Sequence, residues 1–537
     1  MAAKTGAWNY GDILDTTAAA IKIDRPAFIH GDRTIMWSEM DKRTNRMARR
    51  FIDAGLKPGD RVAFYHRNGI EYGELLVACF KARLTHVNIN FRYKDAELLY
   101  ILKDSGAKVV SFDPEFDEVI GRIRNDADDV SIWLRAGNAP SNNYDSYEDF
   151  ASDGDGAPLD IERSGEDTLM IYTGGTTGMP KGVIWAHDPM RKGQINALAA
   201  IGPAPDTYQK HNEFVSTNTD IKPFMPACPW MHGTGLTVAL AQVCFGYPIV
   251  TVDSRDGLNA EGIWRETAKH KVHQMAIVGD AFAKPMLSAL TEMSDDLDLS
   301  RFTIMVSSGA MWSREVKAAL LERLPQLIMA DMFGASETLA FGATFSTKEN
   351  IVDTAKIMLM PNAKIMKEDG VFAGPGETGQ IAIKGLIGEG YFGDEEKTAN
   401  TYRTIDGERW CIPGDFARVD EDGLVTLLGR GSNCINTGGE KVYPEEVEEV
   451  LKIADGVKDA LVVGVPDEKW GNAIVAVVTP SDGSAVLDAE TLREFVAGRL
   501  ARYKAPKQVI FTQNILRGPN GKADYKAARA AADAALA

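Results

Sequence analysis

The segment that most constrains this chain is a short apolar run, Leu169–Tyr172, that passes directly into Thr173-Gly174-Gly175-Thr176-Thr177-Gly178-Met179-Pro180-Lys181-Gly182. Apolar residues that end on a glycine cluster read as a buried strand running into a loop. Glycines let successive backbone N–H groups turn toward one point, and threonine hydroxyls and a lysine add donors there. Such a concavity suits an anion, phosphate above all. The spacing is not the G-x-x-x-x-G-K-[ST] of P-loop nucleotidases.

The chain before this loop alternates between two patterns. Trp37–Ala54 reads as a helix that opens near Ser38 and stops at Gly55, Glu71–Arg83 as a second and Lys94–Lys103 as a third. Arg61–Tyr65, His86–Ile89 and Lys108–Phe112 lie between and after them as strands. This alternation forms β-α-β units and a parallel sheet. Gly137–Gly156, rich in Asn, Ser, Asp and Gly, reads as a surface connection. Farther on, strand-like Leu424–Leu428 leads into Gly429-Arg430-Gly431-Ser432, then Thr437-Gly438-Gly439, then a helix opening at Pro444-Glu445-Glu446. After it come strands Ala460–Val465 and Ile474–Val478, a helix Ala489–Leu500 and a strand Gln508–Phe511, a compact α+β unit. Alanine-rich Ala527–Ala537 is expected to fray. The 537 residues exceed the roughly 250–300 at which one core stops growing. The expected fold class is α/β, with a large first domain over 1–431 and a small α+β domain over 432–537.

A net charge of −17 argues against nucleic acid, whose backbone is gripped by clustered Lys and Arg. It also means that ATP would need donors concentrated locally. Five scattered cysteines, none in a C-x-x-C pair, fit neither a disulfide framework nor a zinc site. Free thiols and an N-terminus without a signal-peptide core lead us to expect a cytoplasmic protein. The uncharged stretch Pro223–Val252 is long enough to span a bilayer, but Pro226, Pro229, Gly233, Gly235, Gly246 and Pro248 interrupt it. A strand, loop and buried helix fit it better than a transmembrane segment. The sequence leaves a homodimer open.

Thr173 to Gly182, taken with later segments in the right order, resembles the adenylate-forming family: acyl- and aryl-CoA synthetases, peptide-synthetase adenylation domains and beetle luciferases. Phe333-Gly334-Ala335-Ser336-Glu337 is similar to that family's Y-G-x-T-E. The resemblance implies Phe333 against adenine, Ser336 on the α-phosphate and Glu337 on Mg²⁺, for which a carboxylate is a suitably hard ligand. Trp410-Cys411-Ile412-Pro413-Gly414-Asp415 resembles x-x-T-G-D, with Asp415 on the ribose hydroxyls and Pro413 where threonine is usual. Leu428 to Asn433 and Ile435 to Pro444 resemble the hinge and the loop after it. They imply Arg430 on ribose or phosphate, Ser432 as pivot, and Gly438 and Gly439 along the thiol path. Arg517-Gly518-Pro519-Asn520-Gly521-Lys522 is similar to the terminal lysine motif, with Lys522 neutralising charge at the reacting carboxylate and α-phosphate. His232, in Pro229-Trp230-Met231-His232-Gly233-Thr234-Gly235, aligns with the P-x-x-H-x-x-G histidine as a positioning group. The nucleotide set implied is completed by Thr173, Gly174, Gly175, Thr176, Thr177, Gly178, Lys181, Gly309, Ala310, Asp331 and Gly334. The fold implied is that of adenylate-forming enzymes, in which the C-terminal domain is mobile.

The resemblance implies an ATP-dependent acid–thiol ligase: acid, ATP and CoA give acyl-CoA, AMP and pyrophosphate through an acyl-adenylate, with Mg²⁺. A carrier-dependent amino-acid adenylation module would place an acid near His232, where none stands. A luciferase-like oxidation or a nucleotide-binding regulator without turnover are the remaining alternatives. The segments expected at the acyl pocket are Met231–Leu236, Val278 to Phe282, Ser307–Trp312 and Thr338–Gly342, small or apolar with only Asp280 charged. An apolar acid fits them best. Ile277–Met286, Ser307–Ser313 and Gly429–Glu446 resemble ligases of fatty acids and steroid side-chain acids; an aryl acid is the alternative.

Overall fold

The computed structural model describes residues 6–536 apart from 138–142, 176–177, 200–201, 203, 294–296, 438–439, 468–470, 482–486, 501, 515 and 519–521. Two large sheets carry the first part of the chain. In an eight-stranded sheet, Thr168–Gly175, Thr85–Asn88, Arg61–Tyr65, Val109–Phe112, Ile132–Arg135 and Asp145–Ser146 lie parallel in that spatial order. Gly178–Ala186 and then Gly390–Tyr391 extend it antiparallel beyond Thr168–Gly175. The strands of this sheet bury alternate residues on opposite faces: Val62 and Phe64 join one core, Ala63 and Tyr65 another. Parallel strands need cover on both faces, and these have it.

In the second, fifteen-stranded sheet, Ile249–Thr251, Phe224–Pro226, Gln274–Ile277, Ile304–Ser308 and Ile328–Phe333 run parallel. It continues antiparallel from Gly342–Ser346 through Val425–Arg430 and Asp415–Val419. Helix Ile70–Lys81 packs against strands of both sheets and is buried on nearly every face. Phe64 and Leu169 of one sheet and Phe224 and Met305 of the other share a single apolar core. Pro223–Val252 forms strand Phe224–Pro226, helix Gly233–Cys244 and strand Ile249–Thr251. No helix among the described residues is long and apolar enough to cross a membrane.

Near the C-terminus, Val457–Asp467, Gly471–Pro480 and Gln508–Phe511 form a separate three-stranded sheet. Ala460, Val462, Ile474 and Ala476 pack with Val447, Leu451 and Leu492 of two helices, while Leu461, Val463, Val475 and Val477 face the other way. Two expectations need correction. The alanine-rich end is helix Tyr525–Leu536, with Ala528 and Ala532 fully buried on the second face of this sheet. Small side chains there allow close packing, and packing rather than propensity holds a helix of this length. The connection Gly137–Gly156 contains helix Tyr147–Ser152, capped by the Ser146 hydroxyl and anchored by buried Tyr147, whose hydroxyl donates to the Glu71 carbonyl at 3.1 Å.

Candidate functional site

The eight-stranded sheet delivers Thr173, at the end of Thr168–Gly175, and Lys181, its cross-strand partner on Gly178–Ala186. Buried Asn88 braces this end: Tyr172 N–H donates to its Oδ1 at 2.6 Å, and its Nδ2 donates to the Tyr172 and Met231 carbonyls at 3.0 and 2.6 Å. Asn68 fixes the same neighbouring segment, accepting from Trp230 N–H at 2.7 Å and donating to the Pro226 and Cys228 carbonyls. The glycine loop and the His232 segment are therefore held in one frame. The Lys181 ammonium lies 3.7 Å from both Asp104 and Asp394. Burial acts to lower its pKa, but the Tyr100 hydroxyl and these carboxylates prevail and raise it, so the charge is kept. Thr176, Thr177, Gly438 and Gly439 lie outside the described residues, and of Gly174, Gly175, Gly178 and Arg430 only the backbone is described.

The fifteen-stranded sheet delivers the next group from the carboxyl ends of its parallel strands, where open α/β sheets take ligands. Gly309 and Ala310 follow Ile304–Ser308, and Asp331 stands opposite Ser307 on Ile328–Phe333. Burial pushes the Asp331 carboxyl up to about 6, against the Lys317 ammonium 3.4 Å away. Phe333 ends that strand and stacks on Phe341 with ring centroids 5.6 Å apart. The chain then turns so tightly that a Cβ at Gly334 would sit 1.8 Å from the Leu339 carbonyl oxygen, while Leu339 itself takes φ 61°. Only glycine fits position 334.

That turn presents Glu337, whose buried carboxylate accepts from the Tyr391 hydroxyl. The Trp185 indole N–H donates to the Ser336 carbonyl at 2.7 Å, and Gly388 N–H to the Glu337 carbonyl at 2.8 Å. Trp185, Gly388 and Tyr391 are thus supporting residues that sequence reading missed, since none lies within a recognisable pattern. Asp415 is buried at the start of Asp415–Val419, opposite Arg430, after Gly414 has turned the chain at φ 99°.

His232 precedes helix Gly233–Cys244 at its N-cap position. Burial, the Lys522 ammonium and the Arg92 guanidinium push its imidazole down to about 3, so it is neutral at physiological pH. Its Nε2 is buried without a hydrogen-bond partner, as is one Nη of Arg92. Lys522, exposed and contributed by the C-terminal part, therefore shares the electrostatic neighbourhood of His232.

One cavity of about 1650 Å³ joins these groups, lined by Thr173, His232, Gly309, Ala310, Asp331, Phe333, Gly334, Ser336, Glu337, Asp415 and Lys522. That exceeds the roughly 300–1,000 Å³ of a pocket for one drug-sized ligand, leaving room for more than one substrate. Lys181 is not among the lining residues. The expectation that Asp280 alone brings charge to the acyl region needs correction, because Arg92 and Lys284 also line the cavity and Lys284 lies 3.3 Å from Asp280. Arg92 escaped notice because it falls outside every segment assigned to the pocket.

A magnesium ion fits these donors. Tyr391 orients the Glu337 carboxylate at the cavity, yet no cluster of three or more His, Cys, Asp or Glu forms a cage among the described residues. One carboxylate plus phosphate oxygens and waters is the coordination Mg²⁺ prefers.

Comparison with known proteins gives a consistent result. Residues 14–392 match the profile described as AMP-binding enzyme, and residues 446–522 the profile described as AMP-binding enzyme C-terminal domain. The chain is 36% identical over 538 residues to a medium/long-chain-fatty-acid–CoA/3-oxocholest-4-en-26-oate–CoA ligase of Mycobacterium marinum, covering 97% of this chain and 96% of the relative. It is 36% identical to a 3-oxocholest-4-en-26-oate–CoA ligase of Rhodococcus rhodochrous, covering 96% and 95%. The fold matches the crystal structure of an anthranilate CoA ligase in complex with anthranoyl-AMP, with TM-score 0.83, 20% identity and coverage of 99% and 98%.

Proposed function

This chain belongs to the AMP-binding enzyme family, and we propose that it is an ATP- and Mg²⁺-dependent ligase joining an apolar carboxylic acid to coenzyme A in the cytoplasm. The observation that carries this reading is the single cavity onto which Thr173, His232, Glu337, Asp415 and Lys522 converge from separate elements. Its acyl side is lined largely by small and apolar residues, which supports medium or long acyl chains over amino acids. The fatty and steroid acids in the names of its relatives belong to the same class.

The chemistry is displacement at phosphorus followed by acyl transfer. A carboxylate oxygen of the acid attacks the α-phosphorus of ATP, the bond to the β-phosphate oxygen breaks, and pyrophosphate leaves. Thr173 and the glycine loop hold the departing phosphates, Phe333 packs on adenine, and Asp415 accepts from the ribose hydroxyls. Neutral His232 fixes the carboxylate without taking a proton, and Lys522 offsets the negative charge gathering between acid and α-phosphate. Held by Glu337, Mg²⁺ would offset phosphate charge. The CoA thiolate then attacks the acyl carbonyl carbon and AMP leaves with the electron pair of the broken C–O bond. We place the boundary between the two working parts at Gly431.

Acid-dependent pyrophosphate release, assayed with fatty, aryl and steroid acids and then with CoA added, tests the reading. Release with apolar acids and thioester with free CoA are expected; release without thioester would favour a carrier-dependent module, and no release a regulator. Glu337→Gln should raise the Mg²⁺ needed for half-maximal exchange at least about tenfold, the scale on which disturbed metal ligation shows. An unchanged Mg²⁺ titration would remove Glu337 from the metal site.

A further inference from the structure

Helix Gly233–Cys244 is apolar almost all round, but only one face meets the cavity: Gly233, Thr234, Thr237, Val238, Ala241 and Gln242. These positions recur at helical spacing, so the cavity runs along the helix axis from His232 toward Gln242. Ten residues at 1.5 Å per residue make that run roughly 15 Å. Strand Gln274–Ile277 measures the same depth in the opposite sense, because Val278 and Gln274 both line the cavity and are separated by roughly 13 Å of extended chain. Both measures end on glutamine. The two amides are buried and joined, Gln242 Nε2 donating to Gln274 Oε1 at 3.1 Å.

That bond leaves one carbonyl oxygen and one NH₂ without a hydrogen-bond partner among the described residues, and both residues line the cavity. Gln194, on the neighbouring helix, differs: its Oε1 accepts from the Tyr10 hydroxyl at 2.9 Å and its Nε2 donates to the Thr237 carbonyl at 2.8 Å. Rotating both amides exchanges their roles, so the pair can meet either a donor or an acceptor. A methyl group placed against it would strip water from two polar atoms and return nothing.

Resting on the ligase reading above, we infer that Gln242 and Gln274 form a polar floor to the acyl cavity, selecting acids with a keto or hydroxyl oxygen at the end remote from the carboxylate. The acyl group is thus gripped at both ends, by charge at the carboxylate and by an amide pair at the far oxygen. The substrate class narrows from apolar acids to distally oxygenated ones.

The test is kcat/KM for ATP–pyrophosphate exchange with dodecanoate, its terminal hydroxy derivative and its penultimate keto derivative, with hexanoate as an acid too short to reach the floor. The wild-type enzyme should favour the oxygenated acids about tenfold, the net scale of one hydrogen bond. Gln242→Met with Gln274→Met should erase or invert that ratio and leave hexanoate unaffected. A wild-type preference for plain dodecanoate, or the same ratio in the double variant, overturns the inference even if the variant folds poorly, because the first comparison needs no variant. Should no acid in the set support exchange, the ligase reading falls first, and that failure is distinct from an unselective but active enzyme.

Discussion

Lys522→Ala should slow acyl-adenylate formation by about 10²–10⁴-fold, the scale on which loss of one preorganised charge stabiliser is felt. The lysine is exposed, and its carbonyl accepts from Gly518 N–H at 2.8 Å, a backbone contact the substitution retains. Its charge nevertheless helps hold His232 neutral across the cavity. Removing it should therefore cost catalysis and leave the melting temperature nearly unchanged. Thioester formation from synthetic acyl-AMP and CoA should be largely spared, since the encounter of carboxylate with α-phosphate that Lys522 neutralises has then already taken place. Pyrophosphate exchange and thioester assays on one preparation separate the steps. Equal loss of both would sink the reading in which Lys522 serves only the first, and loss of neither would take it out of the site.

The second large effect concerns acid. Burial pushes His86, His211 and His232 down to about 3 and His187 and His273 down to about 4. Each is neutral in the fold and takes up a proton on unfolding once the pH drops below its unfolded value near 6.5. The unfolded state then binds more protons, so stability falls as pH falls through that value. Asp331, raised to about 6, and Glu448, raised to about 8 by burial, act in the opposite sense because the fold retains their protons. The lowered histidines outnumber these raised acids, so at pH 5.5 the unfolded state takes up the net excess of protons, and each proton of that excess costs about 1.4 kcal/mol of stability per pH unit. Urea midpoints at pH 7.5, 6.5 and 5.5 should decline steeply, and a flat series would show that the folded and unfolded chains bind equal numbers of protons over this range. The imidazole resonances of His232 should likewise stay at their neutral positions across this range.

Legibility in the sequence followed chain proximity. Thr173 to Gly182 was readable because it packs several donors into adjacent positions, and Phe333 to Glu337 because its order resembles a family motif. The residues that hold them were not: Tyr391 is 54 positions from Glu337, Trp185 lies 151 from Ser336 and Asn88 lies 84 from Tyr172. Each is a single side chain whose role appears only when distant strands become neighbours. Helix Gly233–Cys244 could be placed as an element, yet its uniform apolarity hid which face meets the cavity. The six-residue helix Tyr147–Ser152 was concealed by a polar sequence that its one buried tyrosine outweighs. Three parallel strands before the glycine loop, Arg61–Tyr65, Thr85–Asn88 and Val109–Phe112, were found within one residue of their observed ends, whereas Ile132–Arg135 and Asp145–Ser146, short and set among polar residues, were missed.

Thr173 belongs to one great sheet and Glu337 to the turn that ends a strand of the other, joined where Gly390–Tyr391 pairs with Gly178–Ala186 and Tyr391 reaches across to Glu337. Nucleotide held by both residues is consequently a rivet through two plates. Its binding energy resists their parting, so ATP should raise the unfolding temperature of both sheets together and draw any separate melting steps into one.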